Sequence, residues 1–303
     1  MLFRSLLDPI RPAALRLLVR FQRHYLWLRD PFGKNHFLDR FLDETRDADL
    51  VVANGDFACD TAYLGVSDDA AFQSARECLG QLRGQFGDRF HGTFGDHEIG
   101  KKMMGADAGG PRLASYHRAE QELGLRPFWQ RTVGRHVLMG VASTLVAWSV
   151  YGREALPEEA EEWERLRAGH LAAIRAAFAA LAPGQRVLLF CHDPTALPFL
   201  WREPAVREKL PRIERTILGH LHSPKLLALS RALAGLPEMG FLGHTVLRWT
   251  AALREARHWA AFRPLLCPSP SGLELFKDGG FYTAELEPDG EGPVPFRFHP
   301  LPW

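Results

Sequence analysis

The pattern that most limits what this chain can become is a short apolar run closed by a polar tip, repeated at widely separated points. The run 48–54 (Ala-Asp-Leu-Val-Val-Ala-Asn) ends in Gly55-Asp56, 186–191 (Arg-Val-Leu-Leu-Phe-Cys) ends in His192, and 215–218 (Arg-Thr-Ile-Leu) ends in Gly219-His220-Leu221-His222. Runs of this kind read as strands buried on both faces, in a sheet covered by helices. In an open α/β sheet the loops beyond the carboxyl ends of such strands converge on one crevice. The pattern therefore predicts an α/β fold with its polar tips gathered at one site.

A fourth tip, Gly95-Asp96-His97-Glu98, completes a set that offers carboxylates first and imidazoles last. That ligand mixture suits divalent transition metals better than magnesium or calcium. Glycines ahead of the ligands let the backbone turn sharply and bring a short side chain close to an ion. Taken singly, each tip has a plainer reading. An aspartate after a strand is commonly a turn residue or helix cap, and His192 before Asp193-Pro194 fits a turn histidine. Gly-His-Leu-His is harder to dismiss, because alternation in an extended segment throws both rings to the same side.

Read in order, Asp30-Pro31-Phe32, Gly55-Asp56-Phe57-Ala58-Cys59-Asp60, Gly95-Asp96-His97-Glu98, His192 and Gly219-His220-Leu221-His222 resemble the motif series of the calcineurin-like metallophosphoesterases, across roughly residues 25 to 224. The resemblance implies a β-sandwich of mixed sheets flanked by helices. It also implies one or two divalent transition metal ions, manganese, iron or zinc, and a small phosphate-containing substrate. The expected reaction is hydrolysis of a phosphate mono- or diester, or of a pyrophosphate, by a metal-bound hydroxide. By the same resemblance Asp56 bridges two metals, Asp30 and His222 complete one site, and Asp96, His192 and His220 hold the other. His97 would face the substrate phosphate and protonate the leaving oxygen. Glu98 would orient a histidine ring, and Asp60 would stand behind the ligands, although on its own it reads as the cap of the next helix.

The chain departs from the series at three points. Phe32 stands where the first motif has a histidine, the second aspartate of the Gly-Asp motif comes one position late at Asp60, and Asp96 replaces an asparagine. Phenylalanine cannot coordinate a cation, so the first metal position is expected to be weakened or empty. His36, the nearest histidine, reads as a solvent-facing residue at a helix start. Asp96 strengthens cation binding but adds negative charge where phosphate approaches, and it offers no amide donor. These departures keep a second expectation open, a member of the fold that binds without turnover. A pyrophosphatase acting on acylated sugar nucleotides, also found in this superfamily, is a third.

The remaining sequence is read around this centre. A length of 303 residues suits one α/β domain with insertions. A net charge of +1 leaves no electrostatic footprint for nucleic acid. Residues 1–24 form an amphipathic basic arm, interrupted by arginines too often to span a bilayer. Such an arm packs on the sheet or a partner subunit, or lies on a membrane surface. Residues 25–303 form the domain, with insertions near 101–124 and 225–260, the latter shaping the pocket or a homo-oligomer interface. The four cysteines lack metal-site spacing and read as free thiols, pointing to a cytoplasmic, at most membrane-peripheral, protein. Cys59 and Cys191, beside proposed ligands, are candidates for oxidation. Helices are expected at 68–86 and 157–182 and in the 225–260 region. Strands are expected within 135–151 and at 262–266, 273–276 and 281–286.

Overall fold

Three sheets organise the described residues. The computed structural model describes residues 32–58, 63–102, 108–239, 244–287 and 292–303, and before them only Leu17, Arg20, Phe21, His24, Tyr25 and Asp30. The N-terminal arm therefore lies almost wholly outside the described residues, as does Asp60. The largest sheet has the order β3-β4-β5-β6-β7, with β3 (Phe128–Val133), β4 (His136–Val141), β5 (Arg186–Cys191), β6 (Ile213–Leu218) and β7 (Pro264–Leu266). Only β3 runs antiparallel to its neighbour; the other pairings are parallel. A second sheet pairs β1 (Val51–Ala53) with β2 (Phe90–Gly92) in parallel, and a third is the hairpin of β8 (Gly280–Ala284) and β9 (Phe296–Pro300). The fold is mixed α/β, as the apolar runs predict.

Strand alternation decides which layers meet. Leu188 and Phe190 of β5 cluster with Trp129, Leu138 and Ile217, and Leu50 and Val52 at β1 pack on that cluster. His91 of β2 stacks on Trp129 at 4.8 Å. The β1–β2 sheet thus covers one face of the larger sheet. Val187, Leu189 and Cys191 point the other way and share a core with Leu171, Ile174 and Phe178 of the helix Ala160–Ala179. The helix Asp69–Phe86, capped by the Asp68 side chain on the Ala71 N–H, adds Phe72, Leu79, Leu82 and Phe86 to the same core. Burying so many large side chains at ~25 cal/mol per Å² supplies the main driving force for these layers.

Two expectations need correction, and one strand was not expected. Only 136–141 of the 135–151 stretch is a strand; two short helices, Ser143–Val146 and Trp148–Tyr151, follow it. Apolar content all round fits a buried helix as well as a buried strand, and here Ala142 and the wholly buried Leu145 and Val146 pack into the core as helix. Residues 273–276 form a turn, in which Lys277 N–H donates to the Leu273 carbonyl. The strand Phe128–Val133, which pairs with β4 through a tight turn at Gly134, had no counterpart in the sequence reading. The expected helices are present at Ala160–Ala179, Pro224–Ala232 and His244–Arg254.

Candidate metal centre

The loops after β1, β2, β5 and β6 meet. Close approach of the first two depends on glycine: a Cβ on Gly55 (φ +89°) would lie 2.5 Å from Gly95 N, and one on Gly95 would overlap the Asp56 carboxylate. Glu98, wholly buried, fastens the same two loops. Its Oε1 accepts from the Phe57 and Ala58 N–H groups at 2.7 and 3.1 Å, and its Oε2 accepts from Asp56 and Gly95 at 2.9 and 2.8 Å. Glu98 thus acts on the backbone of the two ligand-bearing loops. Asn54 extends the lacing, donating from Nδ2 to the Ile217 carbonyl of β6 at 2.9 Å.

On this frame Asp56, Asp96, His192 and His220 each present one ligand atom, all within 4.8 Å of one another. His192 Nε2 is 3.3 Å from Asp56 Oδ2 and 3.6 Å from Asp96 Oδ1; His220 Nδ1 is 3.4 Å from the same Asp96 oxygen. Asp56 Oδ2, both Asp96 carboxylate oxygens, His192 Nε2 and His220 Nδ1 are buried without a hydrogen-bond partner. Buried polar atoms left unsatisfied are costly and few, so four of them converging, one from each residue, fit a cation that takes them. Hard oxygen and imidazole nitrogen donors together suit a divalent transition metal.

Both histidines are held by their far nitrogens. His192 Nδ1 donates to the Asn54 carbonyl at 2.6 Å, which turns Nε2 toward the carboxylates. His220 Nε2 faces Asp193 Oδ2 at 3.6 Å, leaving Nδ1 on the cluster side. Asp193 is fixed by the Thr195 N–H at 2.7 Å and by the Tyr151 hydroxyl. Outside Tyr151, Arg248 of the helix His244–Arg254 pairs with buried Glu154 at 2.8 Å. Carboxylate or carbonyl support of this sort fixes the tautomer and orientation of ligating histidines.

The charges are mutually dependent. Burial pushes the Asp56 carboxyl up, but the His192 and His97 rings outweigh it and hold it below the usual carboxylate range. Burial likewise opposes ionisation of Asp96, and Lys101 and His220 overcome it. For His192 burial favours the neutral ring, yet Asp56 and Asp96 hold it protonated well above the ordinary histidine range.

Other sequence candidates are placed less centrally. His222 stands 3.9 Å from Asp56 Oδ2, and burial pushes its pKa down to about 3. Gly219 to His222 is a turn with His222 at φ +54°, so turn geometry rather than strand alternation brings the two rings in. His97 is buried with Nε2 3.7 Å from Asp56 Oδ2 and hydrogen-bonded to Lys101 Nζ. Asp30 is exposed and accepts from the Gly33 N–H at 3.1 Å; it is not in the four-residue group. His36 is exposed, as expected. Cys191 is wholly buried and burial pushes its thiol up, which removes it as an oxidation candidate; Cys59 lies outside the described residues. Asp193, Asn54 and Tyr151 were not singled out as parts of the centre by sequence, whereas Lys101, with Lys102 and Arg112, reads from sequence as a cation that could meet a substrate phosphate, solvation being the plainer reading of each. Only the position of Asp193 directly after His192 hinted at its part.

No family model matches the sequence, and no curated protein or solved structure matches it. Among the described residues no helix is long and apolar enough to cross a membrane.

Proposed function

We propose that this chain is a metal-dependent phosphoesterase of the calcineurin-like metallophosphoesterase type, hydrolysing a phosphate mono- or diester or a pyrophosphate. The observation that carries the reading is the convergence of the unsatisfied Asp56, Asp96, His192 and His220 atoms at the ends of four strands. A cation bound there would polarise a phosphoryl oxygen and lower the pKa of water. Asp56 would hold that cation through Oδ2 while its Oδ1 accepts from the His97 N–H at 3.2 Å, which fixes the carboxylate's direction. His97, close behind Asp56, is the group in position to pass a proton to a leaving oxygen. His192 and His220 stay oriented through Asn54 and Asp193.

Asp30 favours a second reading. Turned onto its own loop and exposed, it leaves a first metal position with Asp56 and His222 among the described residues, which fits one tightly held ion and a weakened enzyme that acts by binding. Purified protein loaded in turn with manganese, iron, zinc and cobalt, and assayed on aryl phosphate monoesters and diesters, separates the two. Hydrolysis abolished by chelation and by His220→Ala is the expected result. Folded, metal-bearing protein inactive with every metal would replace the hydrolase with the binding protein.

A further inference from the structure

Asp96 splits its two oxygens between two tasks. Oδ1 faces His192 Nε2 and His220 Nδ1, at 3.6 and 3.4 Å, and so belongs to the cation. Oδ2 faces Lys101 Nζ at 3.3 Å. The same ammonium is hydrogen-bonded to His97 Nε2. Lys101 also marks the rim of the centre: its side chain is 18% exposed, against 2% for Asp96 and 4% for His97. A carboxylate only accepts hydrogen bonds, so Asp96 by itself would turn an acceptor and a negative charge toward an incoming phosphate. An ammonium has three donors. It pairs with Asp96 Oδ2 as an ion and spends one donor on His97, so donor capacity remains for a group arriving from solvent.

We propose that Lys101 is an anion-binding residue of this centre, neutralising the outer oxygen of Asp96 and gripping a non-bridging oxygen of the substrate phosphate. The inference rests on the phosphoesterase reading and adds to it a preference. A fixed cation beside the metal favours a doubly charged terminal phosphate over a singly charged diester, since the attraction scales with the product of the charges. Lys101 lies next to His97 in space, so the grip and that ring meet the same end of the substrate. Arg112, another cation of this segment, takes no such place: its guanidinium donates to the Pro111 and Gly109 carbonyls at 2.8 and 3.1 Å.

The test is calorimetric titration of inorganic phosphate into manganese-loaded full-length protein, comparing wild type with Lys101→Met, Lys101→Gln, Lys101→Arg and Asp96→Asn/Lys101→Met. Metal content and circular dichroism are recorded for each. Loss of a charge-assisted contact predicts phosphate binding weaker by about 10- to 100-fold in the Met and Gln variants. Manganese content should be equal or higher, because Asp96 is no longer shared. Arginine should retain most of the affinity, and the double variant should recover part of it, since an amide donor replaces the unpaired carboxylate oxygen. Phosphate bound as tightly by Lys101→Met or Lys101→Gln as by wild type overturns the proposal. So does a wild type that holds manganese but no phosphate, or failure of both neutral variants to fold, which would assign Lys101 to structure. A wild type that holds no metal at all brings down the phosphoesterase reading first.

Discussion

Replacing Glu98 by glutamine alters one atom and should cost a large share of the stability of the centre's frame. The carboxylate accepts four backbone N–H groups, two on each oxygen, at 2.7 to 3.1 Å and with no exposure to solvent. Glutamine keeps one acceptor oxygen and turns an NH₂ toward the other pair of donors. Whichever way it is flipped, two buried N–H groups lose their acceptor and meet a donor. Each orphaned buried donor costs about 1–3 kcal/mol, which gives about 2–6 kcal/mol for the pair. Set against a typical total of about 5–15 kcal/mol, that is a visible loss. The opposing consideration is that burial and the neighbouring Asp56 push the Glu98 carboxyl up, so removing its charge recovers some desolvation. The lower half of the range is therefore expected. Urea denaturation of wild type and Glu98→Gln, both in chelator so that metal binding does not enter, measures the difference. The variant should also bind metal less tightly, because Asp56 and Gly95 are no longer fastened. A midpoint shift worth under about 1 kcal/mol at unchanged slope would refute the account of Glu98 as the clasp between the two loops.

Two further outcomes follow from the same geometry. Gly95→Ala should abolish tight metal binding while leaving far-ultraviolet dichroism intact, because the added methyl would overlap the Asp56 carboxylate; metal analysis at wild-type stoichiometry would contradict it. His170 is buried in the helix Ala160–Ala179 with neither ring nitrogen hydrogen-bonded, and burial pushes its pKa down to about 3. The unfolded chain takes up a proton near pH 6.5 that the folded chain refuses, so this residue leaves stability intact above that pH and erodes it as pH falls toward 3, by about 2 kcal/mol at pH 5. His170→Leu in chelator should flatten that part of the stability curve relative to wild type, and parallel curves would show the residue is not buried neutral.

How much of the fold was legible follows from the kind of signal each element carries. The runs 186–191 and 215–218, which lie in the strands Arg186–Cys191 and Ile213–Leu218, are β-rich with a polar stop, and such runs have few other uses in a buried sheet. Residues 135–151 carry an equally apolar run that changes from strand to helix after Val141, and periodicity cannot place that switch where every face is buried. The strand Phe128–Val133 was hidden for the opposite reason. It is the sheet's edge, with Gln130, Arg131 and Thr132 exposed, so its composition resembles a loop.

The site divides along the same line. Ligands are read from residue type at strand ends, and Asp56, Asp96, His192 and His220 lie together because the parallel pair β1–β2 and the parallel pair β5–β6 of the sheet it covers finish on one side. The groups that make those ligands usable are not signalled by type. Asn54 acts on His192 through a backbone carbonyl, which any residue has, and Glu98 acts on amide groups rather than on a side chain. Lys101 is one of two adjacent lysines in a polar stretch, and only the fold shows that its ammonium turns back onto Asp96. A departure from a motif therefore carries its meaning in the residue that answers it. Asp96 read alone is excess negative charge facing phosphate; Asp96 read with Lys101 is a neutralised pair that leaves one oxygen for the cation and one donor for the anion.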